Sequence, residues 1–174
     1  MGEIRQASYT EGVNHHHSRA RRVAVYVLPL LGWMLLIFLM STDVASSEHT
    51  KPIVRSLFLR LFPAAGDYFS PVQIGLIDYN LRKFAHVTEY AILAVLAYRA
   101  VVFGERRFRN AHVVWPFLIG VAYAASDEYH QSFYASRGAK ADDVFIDAAG
   151  VTLGLLLCLW CRAAGDQKRE SPAS

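Results

Sequence analysis

The stretch that decides the fold is VAVYVLPLLGWMLLIFLM, residues Val23–Met40, which contains no charged side chain over eighteen residues. A helix of this length measures about 27 Å at about 1.5 Å per residue, close to the hydrocarbon thickness of a bilayer. The stretch is also longer than the apolar core of a typical signal peptide. We therefore interpret it as a membrane-spanning helix and not as a cleaved leader.

The rest of the chain has a composition that agrees with this interpretation. It has 174 residues, enough for one domain, and 53% of them are hydrophobic, more than a soluble domain usually carries. Three further apolar stretches lie at about 84–103, at about 112–126 with an extension to 133, and at about 144–161. We predict an all-α integral membrane protein with four transmembrane helices.

The distribution of Lys and Arg predicts the orientation of these helices. Ten such residues flank the spans on the side of the two termini, and seven lie on the other side among many carboxylates. By the positive-inside rule both termini are cytoplasmic. We expect residues 1–22 to form a disordered cytoplasmic tail, residues 23–161 the membrane domain, and residues 162–174 a second cytoplasmic tail.

The first outer loop, about forty residues long, contains an amphipathic segment. Its apolar stripe consists of Ile53, Val54, Leu57, Phe58 and Leu61. Such a segment either lies along the bilayer surface or packs on the helix bundle, and in both cases it would cover the outer end of the bundle.

Ionisable side chains interrupt the second and fourth apolar stretches: His86, Glu89 and Arg99 the second, and Asp147 the fourth. Arg82, His86 and Glu89 share one helical face by their spacing. An ionisable side chain at the centre of a membrane span costs about 2.5 to 3.5 kcal/mol on insertion scales, so it usually marks a functional site. On the third predicted helix the polar residues are Asp127, Glu128, His130 and Gln131.

The fourth predicted helix has a stripe with two halves. Asp143 and Asp147 form its outer half, and Gly150 and Gly154 form its inner half. A G-x-x-x-G surface lets a neighbouring helix approach closely. The predicted topology brings the outer ends of the second, third and fourth helices together, and we expect one polar site there.

Six carboxylates gathered near hydrocarbon need cations to compensate their charge. They are Glu89, Asp127, Glu128, Asp142, Asp143 and Asp147. One hypothesis is a hydrogen-bonded lock that holds helix ends together. A second is a catalytic site with His130 or Glu128 as general acid or base, and Arg137 and Lys83 on an anionic group. A third is ligand binding or transport without chemistry.

A metal ion is a secondary hypothesis of the catalytic reading. Two histidines and several carboxylates supply ligands that zinc or manganese accept. However, the histidines lie on separate predicted helices, and the sequence contains no H-E-x-x-H signature. We predict neither a cofactor nor a metal and keep a divalent ion only as an alternative.

At these residues the chain resembles the VanZ-like family of small bacterial membrane proteins, named for a member associated with resistance to the glycopeptide teicoplanin. The resemblance covers roughly residues 40–157. It rests on the ordered set Arg82-Lys83-x-x-His86-x-x-Glu89-Tyr90, Asp127-Glu128-x-His130-Gln131-x-Phe133, Arg137-Gly138 and Asp143-x-x-x-Asp147-x-x-Gly150-x-x-x-Gly154. The family often has Val-Pro-Gly before the arginine, where this chain has Tyr134, Ala135 and Ser136. The resemblance implies a multi-helix protein of the bacterial cytoplasmic membrane.

We expect a site on the extracytoplasmic side that recognises or acts on an anionic lipid-linked or cell-wall precursor, with membrane lipids or a glycopeptide as further partners. The expected catalytic group is His86, Glu89, Asp127, Glu128 and His130, and the expected substrate-binding group is Arg82, Lys83, Gln131, Arg137, Asp143 and Asp147. In the catalytic group, His130 and Glu128 would transfer protons while His86 and Glu89 form an orienting pair. The competing hypothesis is a non-catalytic binding factor, and a transporter is third because the polar groups cluster at one membrane face. No nucleic-acid module is visible in the sequence.

Overall fold

A computed structural model of the chain describes residues 23–42, 56, 60–63, 69–102, 109–133 and 141–170. The long elements in this part of the chain are all helices. A π-helical turn at Val23–Val27 leads into α1 (Leu28–Met40), followed by α2 (Pro71–Val102), α3 (Ala111–Gln131) and α4 (Ala141–Glu170). The prediction of an all-α protein is confirmed for the described residues.

Prolines mark the beginnings of the first two helices. Pro29 lies in the first turn of α1 and Pro71 is the first residue of α2. A proline in the first turn costs no hydrogen bond, because the amides there have no partner within the helix. At its other end, α1 is closed by the N–H of Ser41, which donates to the carbonyl of Ile37 at 2.8 Å.

Two helices extend beyond the predicted apolar stretches. α2 begins at Pro71, thirteen residues before the predicted start at about 84, and α4 continues to Glu170, nine residues past Cys161. Polar residues such as Gln73 and Asn80 lower the hydropathy of these extensions without interrupting the backbone hydrogen bonds. Hydropathy therefore detected the membrane-length core of each helix but not its full length.

The predicted amphipathic segment lies almost entirely outside the described residues. Only Ser56, Arg60 and Leu61 belong to the described part, and all three are helical. Ile53, Val54, Leu57 and Phe58 lie outside it, as does the predicted tail at residues 1–22. These predictions remain predictions.

Contacts between α1 and α2 show that the two helices run in opposite directions. Arg99 lies over the ring of Tyr26, 5.8 Å from its centroid, and Trp33 Nε1 donates to the carbonyl of Glu89 at 2.9 Å. The later residue of the first segment, Trp33, thus contacts the earlier part of α2, whereas Tyr26 contacts the later part. The end of α1 at Met40 therefore lies beside the part of α2 that precedes Glu89.

The most extensive helix contact joins α2 and α4, which run parallel. A Cβ on Gly150 would collide with the carbonyl oxygen of Val87, and one on Gly154 would collide with that of Ala91. Only glycine allows two backbones to approach so closely. The predicted role of this glycine stripe in close helix packing is confirmed.

α3 packs against both α2 and α4 and runs antiparallel to them. A Cβ on Gly120 would lie 2.6 Å from a methyl group of Val151, so the middle of α3 packs on the middle of α4. Helix direction thus alternates along the chain, in the up-down order of a four-helix bundle. The buried apolar core between the helices is formed by Leu30, Ile37, Tyr90, Leu93, Ala94, Ala97, Tyr98, Ala124, Val151 and Leu155.

Large apolar side chains also cover the outside of the bundle, as expected of helices that face lipid. Within the described residues, three helical stretches are long and apolar enough to cross a membrane: Val23–Met40, Gly75–Val102 and Asp142–Gln167. α3 is not among them, because His112, Asp127 and Glu128 lower its hydropathy. Three spans are therefore supported, and the fourth span and the orientation remain predictions.

Candidate functional site

The predicted site residues that the structure describes lie at one end of the bundle. This end contains the last turn of α1, the middle of α2, the last turns of α3 and the first turns of α4. Because neighbouring helices alternate in direction, the motifs on α2, α3 and α4 come together at the same level. The predicted convergence of the three motifs is found in the structure.

The central contact of the site joins α2 and α4. Nδ1 of His86 lies 3.3 Å from Oδ1 of Asp147, and the side chains are 23% and 0% exposed. The distance suits an ion pair, although the two atoms do not have the alignment of a hydrogen bond. Contacts of this kind often align only when a substrate is bound. The pairing differs from the expected orienting pair of His86 and Glu89, although Glu89 lies within electrostatic range of His86.

One turn towards the first residue of α4, a second ion pair joins the same two helices. Lys83 Nζ contacts Oδ1 of Asp143, and each side chain is 19% exposed. The ammonium group also lies over the ring of Tyr79, 5.3 Å from its centroid. Lys83 is thus already paired, so a substrate anion would have to compete with Asp143 for it.

α3 contributes buried polar side chains to the same end of the bundle. Nε2 of Gln131 donates to Oδ2 of Asp127 at 2.9 Å, and both side chains are buried. Glu128 is also buried. The acidic side chains of α3 therefore lie inside the bundle and not on its lipid-facing surface.

Tyr90 on α2 belongs to this cluster, although the sequence analysis gave it no role. Its side chain is completely buried, and its hydroxyl lies within electrostatic range of the carboxyls of Asp127 and Asp147 without an aligned hydrogen bond to the described residues. A signal was present in the sequence, because Tyr90 follows His86 by four residues and so shares its helical face.

α1 closes one side of the site, which the sequence analysis did not anticipate. The ring of Phe38 lies 4.4 Å from the ring of His130, centroid to centroid. Trp33 donates to the carbonyl of Glu89, and the hydroxyl of Tyr123 donates to the carbonyl of Met34. These contacts fix α1 against α2 and α3 beside the polar residues.

Two of the residues that were expected to contribute to the site are arginines. Arg137 lies outside the described residues, and Arg82 is half-buried on α2 one turn before His86. Among the described residues, no group of three or more His, Cys, Asp and Glu side chains is arranged to hold a metal ion.

The contact between His86 and Asp147 is suited to proton transfer. A buried carboxylate beside one imidazole nitrogen orients the ring and stabilises its protonated form. The other nitrogen, Nε2, belongs to a side chain that remains partly exposed. The pair is therefore suited to accept and return a proton at the edge of the bundle.

Comparison with known proteins identifies the family. No curated protein and no solved structure shows significant similarity to the chain. The family model described as VanZ/LLP1 matches residues 26–162, which include all of α1, α2 and α3 and most of α4. His86, Asp127 and Asp147 all lie within the match. The chain is therefore a member of the VanZ/LLP1 family and a VanZ-like membrane protein.

Proposed function

We propose that the protein acts on an anionic lipid-linked or cell-wall precursor at the extracytoplasmic face of the bacterial cytoplasmic membrane, using acid–base chemistry. The observation that carries this proposal is the contact of His86 with the fully buried Asp147 at the end of the bundle where the other acids gather. Ionisable groups at membrane depth are costly and are usually retained for function.

The extracytoplasmic location rests on the helix directions. α3 has 21 residues, which gives about 31 Å of helix, enough to cross the hydrocarbon. It runs antiparallel between two membrane-length helices and exposes Val114, Trp115 and Leu118. Four crossings would place both termini on one side, and the bias of Lys and Arg assigns that side to the cytoplasm. The site then faces the opposite side, where envelope precursors are used.

The proposed roles of His86 and Asp147 follow from their contact. His86 is the proton-transferring group that the geometry supports best, with Asp147 as its orienting carboxylate. His130 and Glu128 remain a second possible proton-transferring pair on α3. Arg82 and Arg137 would hold the phosphate or carboxylate of the precursor, because guanidinium groups bind such anions with two parallel hydrogen bonds.

Lipid mass spectrometry of cells with and without the protein tests this function. We expect an envelope precursor to change covalently when the protein is present, and the change to disappear in His86→Ala. The matched control is His112→Ala, which removes a buried histidine from the other end of α3. An unchanged lipid profile at full expression of the wild-type protein would exclude the enzymatic proposal.

A non-catalytic role is the alternative, and one observation favours it. Both ion pairs, Lys83 with Asp143 and His86 with Asp147, join α2 to α4 next to the glycine contacts. Such an arrangement also serves as a structural lock. In this case the protein would bind a precursor or a glycopeptide, and tolerance to teicoplanin would rise in proportion to the amount of protein without any modified lipid.

A further inference from the structure

Two arginines are placed across from each other at the end of the bundle opposite to the polar site. The middles of α3 and α4 touch, because a Cβ on Gly120 would lie 2.6 Å from a methyl group of Val151. The two helices are antiparallel. Arg109 precedes Gly120 by eleven residues, and Arg162 follows Val151 by eleven. Eleven residues make about three turns, so both arginines return to the contacting sides of α3 and α4 at the same level.

The first turn of α3 holds Arg109 in place. Nδ1 of His112 accepts a hydrogen bond from the backbone N–H of Arg109 at 3.3 Å. In return, the backbone N–H of His112 donates to the carbonyl of Arg109 at 2.9 Å. His112 is buried, whereas the side chain of Arg109 is exposed and that of Arg162 is half-buried. The turn is therefore anchored in the bundle, and the guanidinium groups remain accessible.

The positive charge of the two arginines exceeds the negative charge near them. Arginine is always protonated, so two guanidinium groups at one level repel each other unless an anion compensates them. Among the described side chains at this end of the bundle, the one acid is Asp166, four residues after Arg162. One carboxylate compensates only one of the two arginines. The remaining charge suits a phosphate, whose oxygens accept two parallel hydrogen bonds from a guanidinium.

The depth of the two arginines points to a phosphate that belongs to a lipid. Trp160 lies two residues before Arg162 and is 69% exposed, and Trp115 on α3 is 58% exposed. Exposed tryptophans are enriched at the headgroup level of a membrane. Closer to the middle of the same two helices, Leu118 and Leu157 are also exposed and offer apolar surface to acyl chains.

We propose that Arg109 and Arg162 bind the headgroup phosphate of an anionic phospholipid where α3 and α4 meet. Basic sites between membrane helices are suited to such headgroups. This site lies at the other end of the bundle from His86 and Asp147 and does not depend on the proposed function.

Arg99 on α2 provides a matched control at the same level. Ala91 on α2 lies against Gly154 on α4. Arg99 follows the first of these and Arg162 the second by eight residues, so parallel helices bring the two arginines to one depth. Arg99, however, lies over the ring of Tyr26, 5.8 Å from its centroid, on the side of α1. Its removal changes the net charge equally but leaves the contact line of α3 and α4 intact.

Native mass spectrometry of the purified full-length protein in detergent tests the proposal. The probes are phosphatidylglycerol, which is anionic, and phosphatidylcholine, which has no net charge. We expect phosphatidylglycerol to bind several-fold more tightly, and Arg109→Gln and Arg162→Gln each to lower its occupancy several-fold, while Arg99→Gln retains most of it. Equal binding of the two lipids, or equal losses in all three variants, overturns the proposal, because a diffuse attraction between charges produces that result.

Inorganic phosphate distinguishes a lipid site from a site for a free anion. We expect phosphate added at constant ionic strength to leave phosphatidylglycerol bound, and its displacement by phosphate overturns the assignment to a lipid. If one glutamine variant does not fold, the other decides, and equal binding of the two lipids to the wild-type protein overturns the proposal without any variant. None of these results bears on the proposed function, whose test follows a covalent change in an envelope precursor.

Discussion

Gly150 on α4 lies directly against the carbonyl oxygen of Val87 on α2, with no room for a side chain between the two backbones. This contact lies one turn below the ion pair of His86 and Asp147. The close approach of the helices at Gly150 therefore determines how near the charged side chains above it can come.

Substituting this glycine should separate the helices. We expect Gly150→Ala to destabilise the protein by about 1 to 3 kcal/mol, the usual cost of overpacking a close contact. Gly165→Ala on the same helix is the matched control, since its Cβ would meet nothing within 4 Å, and it should be neutral or stabilising by up to about 1 kcal/mol. Unfolding of the detergent-solubilised protein with increasing dodecyl sulfate measures both. Equal effects would contradict the contact.

The pair of Lys83 and Asp143 should behave as a coupled unit. We expect Lys83→Asp and Asp143→Lys each to destabilise the bundle, and the double exchange to recover most of the loss. Both side chains are partly exposed, so the coupling energy should be about 0.2 to 1 kcal/mol. Additive effects of the two exchanges in the same unfolding assay would show that the residues do not interact.

His86 and Asp147 should act as one unit in whatever activity the site has. We expect His86→Gln, Asp147→Asn and the double variant to lose similar activity, each by about 10² to 10⁴-fold, because a proton-transferring group and its orienting partner are not additive. Lipid modification in cells is the measurement. Losses that multiply in the double variant would mean that the two residues act independently.

Trp33 should hold α1 against the site. Trp33→Phe removes the donor to the carbonyl of Glu89 and should cost about 0.5 to 1.5 kcal/mol of stability. Trp160→Phe is the control, because this ring lies exposed near the end of α4. Dodecyl sulfate titration compares the two variants, and a larger loss from Trp160→Phe would argue against the role of α1.

The predicted orientation can be measured with cysteine labelling. Ser132→Cys, placed at the end of α3 in a background without the two native cysteines, should react with a membrane-impermeant maleimide in intact cells whose outer layers have been made permeable. A background that retains only the exposed Cys161 should react after the inner membrane is opened. Labelling of both positions from the same side would contradict the four-span topology.

The sequence predicted the helices and the meeting of their motifs, because apolar length and helical spacing are local properties. It did not predict which side chains pair. Spacing places His86 and Glu89 on one face of α2, but the rotation of α2 against α4 decides that His86 meets Asp147. The glycine pattern predicts that some helix packs closely at Gly150 and Gly154, but it does not reveal which helix this is or how that helix is rotated.

The sequence also did not predict that α1 packs beside the site, for a related reason. Its sequence is apolar throughout, so nothing in it indicates that Trp33 and Phe38 contact residues beside the polar cluster. The early start of α2 at Pro71 was missed because hydropathy measures suitability for lipid, whereas a helix continues wherever its backbone hydrogen bonds continue.

The two helices in closest contact, α2 and α4, are not consecutive in the chain, since all of α3 lies between them. During synthesis α2 is complete before α4 is made. Lys83 and His86 therefore lack their partners Asp143 and Asp147 until then. The two ion pairs can consequently form only after the first turns of α4 have been made, and a chain cut short after α3 carries neither of them.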